Sequence, residues 1–244
     1  MSKWFVAMLA TLITLPQSVR AEVTINELSL FAWQQDIDAR ASRGGDIIDI
    51  DSSFDIDQTT DYQISLGLDL PWRWLPNLTI QHTASETTGD GVITATIFDN
   101  IVLEGEVDGK LQLDHTDATV RWPMLESAIE IDLGYSIRVF NAAVELTNQA
   151  GQTGDLDIDD VIPLLFVEAR KTFADSGFSV FANSRVVKLN DEKVVDLRAA
   201  LRWQYHNGVG AELGYRYLDI DYEIGDGLLE ARPEGVYGGL IWTF

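Results

Sequence analysis

Apolar and polar residues alternate with a period of two through most of this chain, the pattern of strands that present one face to an apolar environment. The last ten residues show it most clearly: Val236, Gly238, Leu240, Trp242 and Phe244 share one face, while Tyr237, Gly239, Ile241 and Thr243 share the other. Ile129, Ile131, Leu133, Tyr135, Ile137 and Val139 alternate in the same way with Glu130, Asp132, Gly134, Ser136 and Arg138. A third run sets Val195, Leu197, Ala199, Leu201, Trp203 and Tyr205 against Asp196, Arg198, Ala200, Arg202, Gln204 and His206. Weaker versions cover Glu27 to Arg40, Tyr62 to Leu70, Leu78 to Gln81, Lys110 to Trp122, Val161 to Phe173, Phe178 to Leu189 and Val209 to Tyr222. The pattern predicts an all-β chain of about ten strands, with eight as the alternative.

The connections sort by length. Pro71 to Asn77, Trp122 to Ala128, Ala174 to Gly177 and Tyr205 to Gly208 are short, rich in Pro, Gly and Asn, and suited to tight turns. Asp46 to Asp61, Asn141 to Asp160 and Glu223 to Glu234 read as long acidic loops, and Glu86 to Asp108 as an extended loop with room for a hairpin of its own. Short and long connections alternate, and both termini fall on the short side, as an antiparallel up-and-down transmembrane barrel requires. A soluble sheet would expose the apolar terminal strand as an aggregation-prone edge, whereas a closed barrel pairs it on both sides.

The N-terminus adds a destination. Lys3, the apolar run Trp4 to Leu15 and the exit Val19-Arg20-Ala21 predict a signal peptide over residues 1–21, leaving residues 22–244 as one barrel domain. No later segment approaches the roughly 20 apolar residues of a transmembrane helix. The absence of cysteine means that an exported chain of this kind is stabilised without disulfides. The net charge of −22 excludes nucleic acid as a natural partner.

Charges within the strands fall on the face opposite the apolar one. Asp69, Asp117, Glu130, Asp132, Glu168, Asp196 and Glu212 share it with Arg121, Arg138, Arg170, Arg185, Arg198, Arg202 and Arg216. Acids and arginines in balance on an inward face predict an ion-pair network filling a narrow lumen, since about eight strands already leave space only for side chains.

Asp69-Leu70-Pro71, Leu75-Pro76-Asn77-Leu78, Leu113-Asp114-His115-Thr116-Asp117, Ile131-Asp132-Leu133-Gly134 and the paired Gly238-Gly239 together resemble a family of Gram-negative outer-membrane β-barrel proteins with no assigned activity. The closing strand, with Leu240, Trp242 and the terminal Phe244, is similar to the signal by which such barrels are recognised for insertion. The resemblance implies the outer membrane, the barrel-assembly machinery as a transient partner, and lipid with lipopolysaccharide as surroundings.

Chemistry beyond that is sparse. A barrel hydrolase or acyltransferase needs a His beside a Ser or Asp. Here the histidines are His82, His115 and His206, and only His82 with His115 lies near Ser85, Asp114 and Asp117. No nucleophile motif accompanies them, so no catalytic residue is assigned. Asp155, Asp157, Asp159 and Asp160, or Asp46, Asp49, Asp51, Asp55 and Asp57, offer hard oxygen ligands for loosely held divalent cations, without the Gly and Glu of a calcium loop. No other cofactor is indicated. The expected role is structural or interactive, with a charged lumen and acidic external loops; a narrow channel for small solutes is the alternative and a lipid-active enzyme the outsider.

Overall fold

The computed structural model describes residues 24–56, 59–70, 76–174, 176–189, 192–205 and 207–244. The predicted signal peptide, most of the first short turn and His206 lie outside these residues, as does the side chain of Asp69.

The strands are β1 (Thr24–Arg43), β2 (Ile48–Asp49), β3 (Phe54–Asp55), β4 (Thr59–Asp69), β5 (Asn77–Ala84), β6 (Glu86–Phe98), β7 (Ile101–Glu126), β8 (Glu130–Asn148), β9 (Thr153–Thr172), β10 (Phe178–Leu189), β11 (Glu192–Gln204), β12 (Val209–Ile224) and β13 (Gly227–Thr243), with one helical turn α1 (Ile50–Ser53). All pairings are antiparallel, and the sheet closes because β1 pairs with both β4 and β13. β5 and β6 pair with β7 in one continuous register, Thr83 opposite His115 and Glu86 opposite Gln112, so they act as a single strand interrupted at Ser85. The ring therefore has ten members.

The outer surface carries an apolar belt. On β8 it includes Leu133, Tyr135, Ile137 and Val139, and on β11 and β12 it includes Leu197, Leu201, Leu213 and Tyr215, all exposed. Trp122, Phe173, Phe178, Trp203 and Tyr205 ring the short-turn end, with Trp203 and Tyr205 6.0 Å apart. A belt of about 10 residues per strand edged by aromatics matches the hydrocarbon thickness of a bilayer. Two of the short turns behave as their composition dictates: Gly177 and Gly208 take φ of +72° and +86°, where a Cβ would meet the backbone oxygens of Gln204 and Thr243. The turn predicted over Trp122 to Ala128 is shorter, because β7 runs on past Pro123 to Glu126 through a register shift and β8 begins at Glu130.

The long connections are not loops. β8 runs on to Asn148 and β9 begins at Thr153, so most of the predicted loop from Asn141 to Asp160 is a hairpin with its tip at Gln149–Gln152. The segment Glu86 to Asp108 is likewise a hairpin, reversing at Asp99-Asn100 with φ of 49° and 61°, the left-handed pair of a type I′ turn. β12 and β13 meet around Gly225-Asp226. The stretch after β1 folds back as β2, α1 and β3, with β2 pairing with β1 and β3 with β6.

These extensions invert the barrel. On β8 the inward residues Ser136 and Arg138 are followed by inward Phe140, Val144 and Leu146, while the outward face passes from Val139 to Asn141 and Glu145. β7 passes inward from Asp117 and His115 to Leu113, Leu111 and Val107, and β12 from Arg216 to Leu218, Ile220 and Tyr222. Inside the belt the barrel is apolar outward and carries its charges inward, where they lie among a few apolar side chains such as Ile162, Leu164 and Phe166 of β9. Beyond it the same strands form an ordinary water-facing β-structure with a buried apolar core that includes Phe98, Leu103, Leu156, Ile158 and Leu229. The swap follows from the surroundings: lipid gives way to water outside, so the apolar residues move inside.

Candidate functional site

The charged layer lies just under that core. Arg138, on β8, donates from Nε and Nη2 to the two carboxylate oxygens of Asp117 on β7, both at 2.8 Å, and from Nη2 to Asp196 on β11 at 2.5 Å. Arg216, on β12, donates to both oxygens of Asp196 at 3.0 and 2.7 Å, and its Nη2 lies 2.9 Å from His115 Nε2. These two arginines, two aspartates and the histidine are all buried. Their positions follow from register, since Asp117 pairs directly with Arg138 and His115 with Phe140. Arg216 also stacks on Trp33, 4.6 Å from the ring centroid, joining the charged layer to the apolar one.

A second tier lies toward the short turns. Glu168 accepts from Arg170 at 2.7 Å, Arg121 at 3.3 Å and Asn183 at 3.3 Å. Arg202 bridges Glu212 and Glu27, each at 2.8 Å, and Tyr237 donates its hydroxyl to Glu212 at 2.8 Å. Arg170 and Arg202 both lie 5.5 Å from the ring of Phe181. Asp132 reaches Arg121 at 3.8 Å.

The predicted lumen residues are thus brought together unequally. Glu130 is exposed at the short-turn rim instead of inside. Arg198 is buried but meets no carboxylate in an ion pair among the described residues; it donates to Gln63 Oε1 and lies 5.4 Å from the Tyr237 ring. Arg185 reaches only Asp117, at 3.8 Å, and lies against Phe166. Glu27, which takes up Arg202, and the uncharged inward polar groups Gln35, Gln63, Gln81 and His115 belong to the lumen as well, outside the charged set predicted from the sequence. Their period-two placement was the available signal.

The two histidines that lie near Ser85, Asp114 and Asp117 in sequence, to which no catalytic role is assigned, face opposite ways. His82 points outward and its Nδ1 lies 2.9 Å from Thr116 Oγ1, whereas His115 points inward to Arg216. His115, Asp117 and Asp196 have ligand atoms within 4.8 Å of one another, the spacing of a metal site. Two arginines already occupy that position as cations and satisfy both carboxylates.

The acidic runs also divide. Asp155, Asp157 and Asp159 line the outer face of the β9 extension, while Asp160 turns inward and accepts the Tyr222 hydroxyl. Asp155 pairs with Arg43 at 3.3 Å and Asp159 accepts from Asn141. Partial burial, with the Asp155 and Asp159 charges, holds Asp157 above the usual carboxylate range. In the other run Asp46 accepts from the Ile97 amide, Asp57 lies outside the described residues, and Asp51 is pushed up to about 6, chiefly by its hydrogen bond to Asp49.

No protein-family model matches the chain, and no curated protein matches it. Solved structures of Gram-negative outer-membrane barrels do resemble it. The translocator domain of autotransporter NalP from Neisseria meningitidis is 12% identical, with 99% of this chain and 94% of that one covered at a TM-score of 0.46. The attachment invasion locus protein Ail of Yersinia pestis is 10% identical, with 90% and 100% covered at 0.37. The toluene transporter TodX of Pseudomonas putida is 8% identical, with 96% and 92% covered at 0.34. At these scores the three likenesses say nothing about activity.

Proposed function

We propose that this chain is an integral outer-membrane β-barrel that does not conduct, and that its working surface is the water-facing extension. One observation carries the reading: the interior is closed twice in succession, by the Arg138–Asp117–Asp196–Arg216 layer and then by the apolar core that includes Phe98, Phe140, Leu146 and Ile158. A porin of 16 or more strands keeps a wet channel, whereas about ten strands leave space that these side chains fill.

The apolar belt and the aromatic ring at the short-turn end support insertion in a bilayer, and the short turns and both termini support a periplasmic location for that end. Export by the predicted signal peptide and insertion through Leu240, Trp242 and Phe244 complete the route. The extension then stands outside the cell, its outer face carrying Asp155, Asp157, Asp159 and Glu145 among lipopolysaccharide phosphates, where divalent cations bridge the two negative surfaces loosely. Its role is structural or interactive, through contacts made by rigid hairpins.

An epitope inserted at Gln149–Ala150 should be labelled on intact Gram-negative cells, and one at Ser127 only after the outer membrane is opened. Labelling of the Ser127 epitope on intact cells would reverse the orientation, and recovery of the chain in the soluble fraction would remove it from the membrane.

A further inference from the structure

Below the central charged layer, toward the short turns, the lumen holds a partly enclosed cavity of about 70 Å³. It adjoins a mouth at the short-turn rim, with which it shares Glu27, Thr79 and Arg121. Its described walls carry five arginines against three glutamates. Each of the three is already taken: Glu168 by Arg170 and Arg121, Glu212 and Glu27 by Arg202. The surplus positive charge therefore belongs to Arg185 and Arg198. Asp117 faces Arg185 only at 3.8 Å and is already held in bidentate contact by Arg138.

Hydrogen-bonding capacity is in surplus on the same walls. Arg185 Nη1, Arg198 Nε, Gln63 Nε2 and Gln81 Nε2 are buried, line this cavity and have no hydrogen-bond partner among the described residues, against one unmatched acceptor on the same walls, Asn183 Oδ1. All four residues are more than nine-tenths buried. Four unmatched donors, two of them on guanidinium groups that no carboxylate among the described residues holds closely, carry a high desolvation cost if left empty. A tetrahedral oxyanion answers both excesses at once, since it brings negative charge and several acceptor oxygens to a space of this size, and guanidinium forks suit its geometry.

We propose that this cavity is an oxyanion site, taking one small phosphate- or sulfate-class ion that enters from the short-turn end. Arg185 and Arg198 supply the charge, and Gln63 and Gln81 supply neutral donors that orient the oxygens. The site does not depend on which side of a membrane the turns occupy.

Equilibrium dialysis of radiolabelled inorganic phosphate against the refolded chain, in a sugar-headed detergent that contains no phosphate, tests it. The detergent excludes lipid headgroups as the source. The expected result is saturable binding of one phosphate per barrel, displaced by sulfate but not by equimolar chloride. Arg198→Gln and Gln81→Leu should each weaken binding by about tenfold, the loss of one buried charge-assisted hydrogen bond. Arg40→Gln, on the outer face of the extension, should leave it unchanged. Absence of saturable binding to the wild-type barrel, or the same affinity in a folded Gln81→Leu barrel, would overturn the site and leave water as the occupant. Gln81→Leu removes no charge, so it keeps the test open if Arg198→Gln does not refold.

Discussion

Replacing Arg138 by methionine probes the buried charged layer at its centre. The substitution keeps an unbranched side chain of similar length but removes three charge-assisted hydrogen bonds, two to Asp117 and one to Asp196. The two aspartates are left in different positions. Asp196 retains Arg216 in bidentate contact, whereas Asp117 retains only Arg185 at 3.8 Å. The main cost is therefore one stranded carboxylate, and breaking a buried pair from one side costs about 3–5 kcal/mol. Urea unfolding of the refolded barrel in vesicles, followed by tryptophan fluorescence and by the heat-modifiable gel shift, should show that loss. Adding Asp117→Asn should recover much of it, because the second change removes the charge left alone. A loss under about 1 kcal/mol, the value of an exposed pair, or no recovery in the double variant, would refute the buried-network reasoning.

Other changes separate the parts of the molecule. Arg202→Ala should destabilise the barrel more than Arg198→Ala in the same unfolding assay, since Arg202 holds Glu212 and Glu27 while Arg198 holds no carboxylate in an ion pair among the described residues. Phe140→Ala should cost about 3–5 kcal/mol in the extension, seen as protease cleavage of the hairpins while the gel shift of the belt persists. Replacing Phe244 by glutamine should lower outer-membrane yield without altering in vitro refolding, because Phe244 is largely exposed and its backbone amide donates to Asn26. For Asp51, the folded pKa of about 6 lies above the ordinary 3.8, so its contribution favours the folded turn below pH 3.8 and is lost as pH rises through about 6. Asp51→Asn should slow hydrogen exchange in α1 at neutral pH and flatten its dependence on pH across that window.

Most strands within the belt could be read from the chain because lipid outside and polar groups inside produce an alternation, strict on β8 and β11 and lost on β9, where Val161 to Val167 is apolar on both faces. The limits of β10 coincide with the predicted Phe178 to Leu189, and the hairpin at Asn207-Gly208 occurs where the dipeptide requires it. The extensions escaped for a physical reason. Val139-Phe140, Asp159-Asp160 and Tyr217-Leu218 are phase slips, where two adjacent residues of like character mark the level at which the apolar face moves from outside to inside. Searching for one fixed apolar face ends the strand there and leaves an acidic loop. The alternation resumes in the opposite phase, as Leu156 and Ile158 against Asp155, Asp157 and Asp159 show. For the lumen, parity along each strand placed the arginines inward but could not assign their partners. Partners depend on register between strands, which sets Arg138 beside Asp117, and on contacts across the lumen, which bring Arg202 to Glu27.

Single-channel recording of the refolded barrel in planar bilayers tests the doubly closed interior most directly. Stable insertion without discrete conductance steps, with and without calcium on either side, is the predicted result. Reproducible steps from the intact chain would show a continuous water path through both the charged layer and the apolar core, and would make passage of small solutes the function.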